Sequence, residues 1–306
     1  MHKSAEFCLV VQYTAMTGKE HWTSKADVKL FLWQKPAAGA PRGTILFVHG
    51  SSMASQPTFD LQVPGRADSS VMEWFAARGF DCWCMDHEGY GRSDKSRPIN
   101  CDISNGADDL AAATQYVGKK VLLYGISSGA LRAALFTQRH PERVARLALD
   151  AFVWTGEGSP TLAERRKKLP EFSARNRRPI DRAFVKSIFT RDHPGTADEA
   201  TINAFADAIL ALDDSVPTGT YVDMCSRLPL VDPAKIPAPT LVMRGEYDGI
   251  AGFDDLVEFY KRLPNADKQF SVMAGISHAS FQQKNYLTAY HILHAFFSQP
   301  EPVYRG

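Results

Sequence analysis

The chain predicts an α/β fold, a mostly parallel, doubly wound sheet with a helical cap inserted between two late strands. Three observations carry that prediction. Short apolar runs alternate with amphipathic helical patterns from residue 44 to residue 153. One of these runs, Val121-Leu122-Leu123-Tyr124, passes into Gly125-Ile126-Ser127-Ser128-Gly129 and then into an Ala-rich helical pattern. Apolar strands then cease at about Trp154 and resume only at Pro239.

The 306 residues, 44% of them hydrophobic, suffice for a sizeable core in one large domain or two small ones. Residues 1–20 read as an N-terminal extension or edge strand; 7–13 form a strand, an edge, or an arm that would support a homo-oligomer. Residues 27–33 alternate polar and apolar side chains, as a half-exposed strand does. Residues 36–41, with two prolines and a glycine, form a turn-rich link. Residues 44–48 are continuously apolar, which suits a strand buried on both faces, and they end at His49-Gly50-Ser51-Ser52. The loop 53–66 is long enough to suggest a functional role. A helix over 71–78 is stopped by Gly79; a strand over 80–85 is closed by Asp86-His87-Glu88-Gly89-Tyr90-Gly91-Arg92-Ser93. A helix over 105–117 precedes the Ser127 turn; the helix after it runs to His140, and a buried strand occupies 144–153.

The core domain is therefore expected at 21–153 and 228–306, with the cap at 154–227 containing helices near 180–189 and 199–212. The resumed strand ends in Gly245-Glu246-Tyr247-Asp248. A helix at 254–263, a strand at 268–273 leading to Gly275-Ile276-Ser277-His278, and a closing helix at 286–297 complete the chain.

Composition narrows the function. A net charge of +1 creates no field that would draw nucleic acid or an anionic membrane. Cys8, Cys82, Cys84, Cys101 and Cys225 lack metal-binding spacing, and Cys82 and Cys84 fall on one strand face as buried thiols. A reducing, cytoplasmic location is expected. The N-terminus lacks the apolar segment of a signal peptide, and no apolar run reaches the ~18 residues of a membrane span. His291 and His294 are spaced like helix-borne metal ligands, but with no third ligand in view they read as packing or surface residues, and no metal is expected. The cap's first half is basic (Arg165, Arg166, Lys167, Lys168, Arg175, Arg177, Arg178, Arg182, Lys186 and Arg191) and its second half acidic (Asp192, Asp198, Glu199, Asp207, Asp213 and Asp214); the favoured reading is a solvated face, the sharper one a funnel for an anionic substrate such as a carboxylated ester or acyl-CoA.

The chemistry centres on Ser127. A Gly-x-Ser-x-Gly pentapeptide arises by chance in roughly one chain in ten of this length, so alone it means little. At a strand-to-helix junction, however, it forces a strained turn that pushes the middle side chain outward. The glycines are needed because a Cβ there would strike the adjoining helix or strand. Serine needs a base to become nucleophilic, and the base needs an acid to fix its tautomer. Asp248 and His278 each lie just past a strand end, on the same sheet edge as Ser127. The order Ser, Asp, His fits this topology. The adjacent Ser128 contributes its backbone N–H at the helix start, not its side chain.

On these residues, on His49-Gly50 and on Asp86-x-x-Gly89-x-Gly91-x-Ser93, the chain resembles the α/β-hydrolase superfamily, specifically serine-nucleophile esterase- or lipase-like members with a helical cap. The resemblance spans about 42–298 and implies Ser127 as nucleophile, His278 as base and Asp248 as acid. It implies an oxyanion hole from the N–H groups of Ser128 and Ser51, with Ser52 the alternative to Ser51. Some members place the acid where Asp150 stands, the lesser reading here. Glu88 replaces the family's usual Arg and would alter charge near a strand end. Serine at the elbow argues against dehalogenase and epoxide hydrolase branches, which use a carboxylate nucleophile. By location, Met53, Trp154, Tyr221, Met224, Tyr247 and Ile250 are pocket candidates. The expected activity is cofactor-free hydrolysis of a small-molecule carboxylic ester through an acyl-enzyme. The same triad would also serve a C–C bond hydrolase, thioesterase, lactonase or acyltransferase; a ligand receptor with a vestigial triad is the non-enzymatic alternative.

Overall fold

The computed structural model describes residues 17–304. The predicted segment at 7–13 and Cys8 lie outside the described residues. The strands are β1 (Lys19–Lys25), β2 (Val28–Lys35), β3 (Gly43–Val48), β4 (Phe80–Met85), β5 (Val121–Ile126), β6 (Val144–Asp150), β7 (Arg177–Pro179), β8 (Ser215–Pro217), β9 (Thr240–Gly245) and β10 (Lys268–Met273). Eight of them form one sheet in the order β1-β2-β4-β3-β5-β6-β9-β10. The hairpin partner β1 and the strand β2 are antiparallel to their neighbours, and from β4 to β10 every pairing is parallel. β1 is an addition to the elements expected from the sequence: KEHWTSK carries too many polar residues to read as a strand until it pairs with β2.

The central strands are buried along their length, which is why their sequences run apolar without alternation. Helices Ile103–Val117, Ser128–Arg139 and Phe253–Arg262 contribute Leu110, Leu131, Phe136, Leu256 and Phe259 to the core on one face. Helices Val71–Ala76 and Tyr286–Ser298 place Phe75, Tyr290, Leu293 and Phe296 in the core on the other. Each fully buried Phe or Leu contributes about 1.5–3 kcal/mol by leaving water. Cys82 and Cys84 lie in that second core as free thiols. His291 and His294 pack their rings against Trp74, with centroids at 5.4 and 5.6 Å.

Between β6 and β9 the chain leaves the sheet. Helices Pro160–Arg166, Leu169–Ser173, Arg182–Thr190, Glu199–Leu210 and Gly219–Ser226 fill this insertion, braced by a two-stranded ribbon of β7 and β8. The ribbon escapes sequence reading because three residues per strand show no period. The insertion has its own core of Ile188, Phe189, Phe205 and Val216, into which Met53, Leu61 and Val63 also project. The long loop after β3, which holds a short helix Ser55–Phe59, thus anchors the insertion onto the sheet.

Glu88 has a structural explanation. Its buried carboxylate accepts from Arg97 through two bonds of 2.6 Å each and from Lys25 at 3.1 Å. Its charge is neutralised locally and does not project toward the strand ends. No helix among the described residues is long and apolar enough to cross a membrane.

Candidate active site

The parallel pairing brings the residues after β3, β5, β9 and β10 to one edge of the sheet. Ser127 follows β5 and adopts φ 57°, ψ −127°, a conformation an L residue holds only under constraint. The constraint is visible. Ser127 N–H donates to the Asp150 carbonyl at 2.9 Å, tying the turn to the end of β6. A Cβ on Gly125 would stand 2.5 Å from the Gly129 carbonyl oxygen, and one on Gly129 would stand 2.4 Å from that of Val48. Both contacts are with backbone that cannot yield. Gly129→Ala is expected to cost about 1–3 kcal/mol as an overpacked site; urea unfolding measures it, and an unchanged midpoint would refute the packing argument.

His278 Nδ1 lies 3.0 Å from Asp248 Oδ2. Burial alone would raise the Asp248 pKa. The His278 ring beside it and the N–H groups of Ile250 and Ala251, at 2.9 and 3.2 Å from Oδ1, outweigh that and hold the carboxyl well below the usual carboxylate range. An ionised carboxylate can only accept, so Nδ1 carries a proton, and in the neutral imidazole the lone pair is then on Nε2. Arg244, near the end of β9, donates to the carbonyls of Asp248 (3.0 Å) and Ala251 (2.8 Å) and fixes the loop that carries Asp248. On the other side, Gln283 donates to the His278 carbonyl at 2.6 Å.

Ser127 and His278 line one small chamber of about 20 Å³, together with Ser51, Ser52, Met53 and Tyr221 among others. That is room for about one water molecule or a carbonyl group. Ser128 opens its helix, so its N–H has no intrahelical acceptor. The Ser51 N–H has no acceptor among the described residues. Ser51 Oγ donates to Ser128 Oγ at 2.6 Å, which locks the two backbone segments side by side. Ser52 turns instead to the Tyr221 hydroxyl, which also accepts from Arg178 Nη2 at 2.7 Å.

The pocket candidates divide. Met53 and Tyr221 reach the chamber. Trp154, Met224 and Ile250 do not; all three are buried in the core on one sheet face. Trp154 donates its indole N–H to the Val231 carbonyl at 2.9 Å. Ile250 serves through its backbone. Tyr247 is 37% exposed and stacks on His193, centroids 3.9 Å apart. Trp154, Tyr247 and Ile250 follow strand ends and Met224 lies in a helix of the insertion, yet none of the four lines the chamber, and position along the chain does not reveal that.

Asp150 does not meet His278. It accepts from Tyr124 Oη at 2.7 Å, and burial pushes its pKa up to about 7. A carboxyl that ionises near 3.9 when unfolded and near 7 when folded weakens the folded state as pH rises through that window. Relative to Asp150→Asn, which keeps the acceptor for Tyr124, wild type is expected to lose stability on the order of 2–4 kcal/mol between about pH 4 and 7. Unfolding midpoints of both proteins at pH 4.5 and 8 decide this, and parallel pH curves would contradict it.

Four charged side chains of the insertion, which the sequence offers only as members of a mixed-charge surface, turn inward. Arg165 and Arg191 also line the Ser127 chamber, and Arg178 touches it through Tyr221 and Ser52. Asp192, whose side chain is buried, comes within 4.8 Å of both Asp248 and His278, each by one oxygen or nitrogen, and accepts from Thr161 Oγ1 at 2.7 Å. In the sequence these residues lie among many charged neighbours, and only folding separates those that turn inward.

A family model described as serine aminopeptidase, S33, matches residues 39–285. No curated protein matches the chain in sequence. Solved structures do. A thermophilic esterase from Thermogutta terrifontis aligns with 20% identity and a TM-score of 0.65, over 92% of this chain and 98% of that one. An esterase from Exiguobacterium antarcticum aligns with 17% identity and a TM-score of 0.68, over 92% and 100%. An epoxide hydrolase from Vigna radiata aligns with 16% identity and a TM-score of 0.66, over 92% and 97%. At such identities the likeness establishes a shared fold on which different bonds are broken.

Proposed function

The chain belongs to the serine aminopeptidase S33 family of α/β hydrolases and is a hydrolase, and from that premise we propose that it cleaves a carboxylic ester by nucleophilic catalysis at Ser127. The observation that carries the reading is the strained Ser127 elbow opening into the same chamber as a His278 whose Nδ1 is held by Asp248. In this reading His278 Nε2 takes the proton from Ser127 Oγ as the oxygen attacks the ester carbonyl. The imidazolium so formed is stabilised by the Asp248 carboxylate. The carbonyl oxygen gains charge between the N–H groups of Ser128 and Ser51, donors worth about 3–4 kcal/mol each where such groups have been removed. His278 returns the proton to the leaving alcohol, and an acyl-Ser127 remains. Water, deprotonated by the same Nε2, attacks that acyl group and releases the acid. The residues 154–227 act as a cap that closes the chamber and sets its selectivity.

The family's name refers to peptide amides. An N-terminal substrate would bring its ammonium group close to the reacting carbonyl, where Arg165 and Arg191 stand. Like charges disfavour that binding, which supports the ester reading. A fluorophosphonate probe tests it: the labelled peptide is expected to carry the adduct on Ser127. Intact protein with no adduct, under conditions that label a control serine esterase, would sink the proposal and favour a receptor role.

A further inference from the structure

The Ser127 chamber is continuous in lining with a larger cleft, of about 690 Å³, cut into the insertion. Three residues border both: Arg165, Arg191 and Tyr221. Arg178 lies on the cleft side. Any group bonded to Ser127 must extend past this ring to reach solvent through the cleft.

The ring holds unused hydrogen-bond donors. Among the described residues, Arg165 has no side-chain hydrogen bond and no carboxylate partner; its guanidinium lies over the Tyr221 ring, 5.3 Å from the centroid. Arg191 Nε and Nη2 are buried without a hydrogen-bond partner, and its nearest carboxylate is Asp192, 3.6 Å from Nε. Arg178 Nε is also buried and unpartnered, while its Nη2 is held by the Tyr221 hydroxyl. Three guanidiniums around one passage repel one another, and buried N–H donors without acceptors are costly. Asp192 offsets one charge of the three, and the other acids of the cleft, Glu164 and Glu171, do not reach the inner chamber. The surroundings respond to this excess. Burial would raise the Tyr221 pKa, yet Arg178 and Arg165 bring it down to about 8. Burial and the neighbouring Arg191 bring Arg165 down to about 10.

Resting on the hydrolase reading above, we propose that Arg165, Arg191 and Arg178 form an anion subsite and that the substrate is an ester whose acyl chain ends in a carboxylate. The acyl carbonyl sits at Ser127, and the carboxylate, a few bonds away, accepts from the guanidiniums at the junction of chamber and cleft. Planar guanidiniums suit a planar carboxylate because two parallel N–H groups meet its two oxygens. Such a carboxylate supplies the acceptors the ring lacks and relieves the repulsion between its members. The arrangement rewards substrates with the charge at one distance from the carbonyl and disfavours their uncharged analogues, for which the guanidiniums would be dehydrated without compensation.

Mono-4-nitrophenyl adipate and 4-nitrophenyl hexanoate share a six-carbon acyl chain and a leaving group and differ in the terminal carboxylate. Wild type is expected to favour the adipate in kcat/KM by at least about tenfold, and the preference should shrink as salt rises. Arg165→Gln and Arg191→Gln should each lower the adipate-to-hexanoate ratio by about tenfold. In Arg165→Glu the ratio should fall further, and a 6-ammoniohexanoate ester should become the better substrate. Equal rates for the two esters in wild type, or equal losses on both in the arginine variants, would overturn the subsite while leaving the esterase reading intact. Binding gives the converse separation. Monomethyl adipate is expected to bind Ser127→Ala measurably by calorimetry and to bind the Ser127→Ala/Arg165→Gln double variant at least about tenfold more weakly. That result would uphold the anion site even if no ester were hydrolysed, and absence of binding to Ser127→Ala would refute it.

Discussion

Ser127→Ala is expected to lower kcat for 4-nitrophenyl acetate by about a millionfold, the loss found when the nucleophile of a serine triad is removed. The physical reason is that no other oxygen is held at the apex of the elbow. Ser128 has the same side chain, but it begins the helix and its Oγ accepts from Ser51, so it cannot substitute. The fold should survive, because the Ser127 side chain makes no helix-capping bond and the glycines on either side carry the turn. Unfolding midpoints within experimental error of wild type would show this. Ser127→Gly provides an internal check: glycine adopts φ 57° without penalty, so this variant should be inactive yet more stable than wild type by about 1 kcal/mol. Turnover by Ser127→Ala within about tenfold of wild type would end the assignment.

Asp248→Asn should cost about ten-thousandfold in kcat at neutral pH. The carboxylate accepts the Nδ1 proton of His278 and leaves Nε2 as the base. An asparagine can turn its NH₂ toward the ring, which moves the proton to Nε2 and removes the lone pair that would deprotonate Ser127. The backbone bonds from Ile250 and Ala251 would keep one acceptor, so the loop should hold its shape. Asp150→Asn is the matched control. Asp150 ends the neighbouring strand but faces Tyr124, so this change should alter kcat by no more than a few fold. If the two variants exchanged their effects, the acid would be Asp150 and the contact between Asp248 and His278 would be structural only.

Much of the fold was readable because burial on both faces leaves a simple trace. β3, β4, β5, β6 and β9 are mostly apolar and buried along nearly all their length, and each gap between them holds a helical period or, after β6, a long stretch with no apolar strand. Elements whose partners lie outside their own sequence were less readable. β1 acquires its strand character from β2, and β7 and β8 from each other. The site followed the same division. Ser127 is marked by glycines that its turn requires within two residues. Asp248 and His278 are marked by the strands they follow. Arg244, which fixes the Asp248 loop, sits within an apolar strand and has no local signature.

By itself the sequence determined the parallel part of the sheet, the break in it after β6 and the three side chains expected to act at one sheet edge. It could do so because strand ends, tight glycine turns and chain order are local properties. Only the tertiary structure decided which cap charges are solvated and which turn inward, and which of the pocket candidates meet the chamber. Arg165 and Arg166 are neighbours in the chain and chemically alike. One lines the passage to Ser127 and the other is exposed, a difference set by helix rotation and packing against Tyr221.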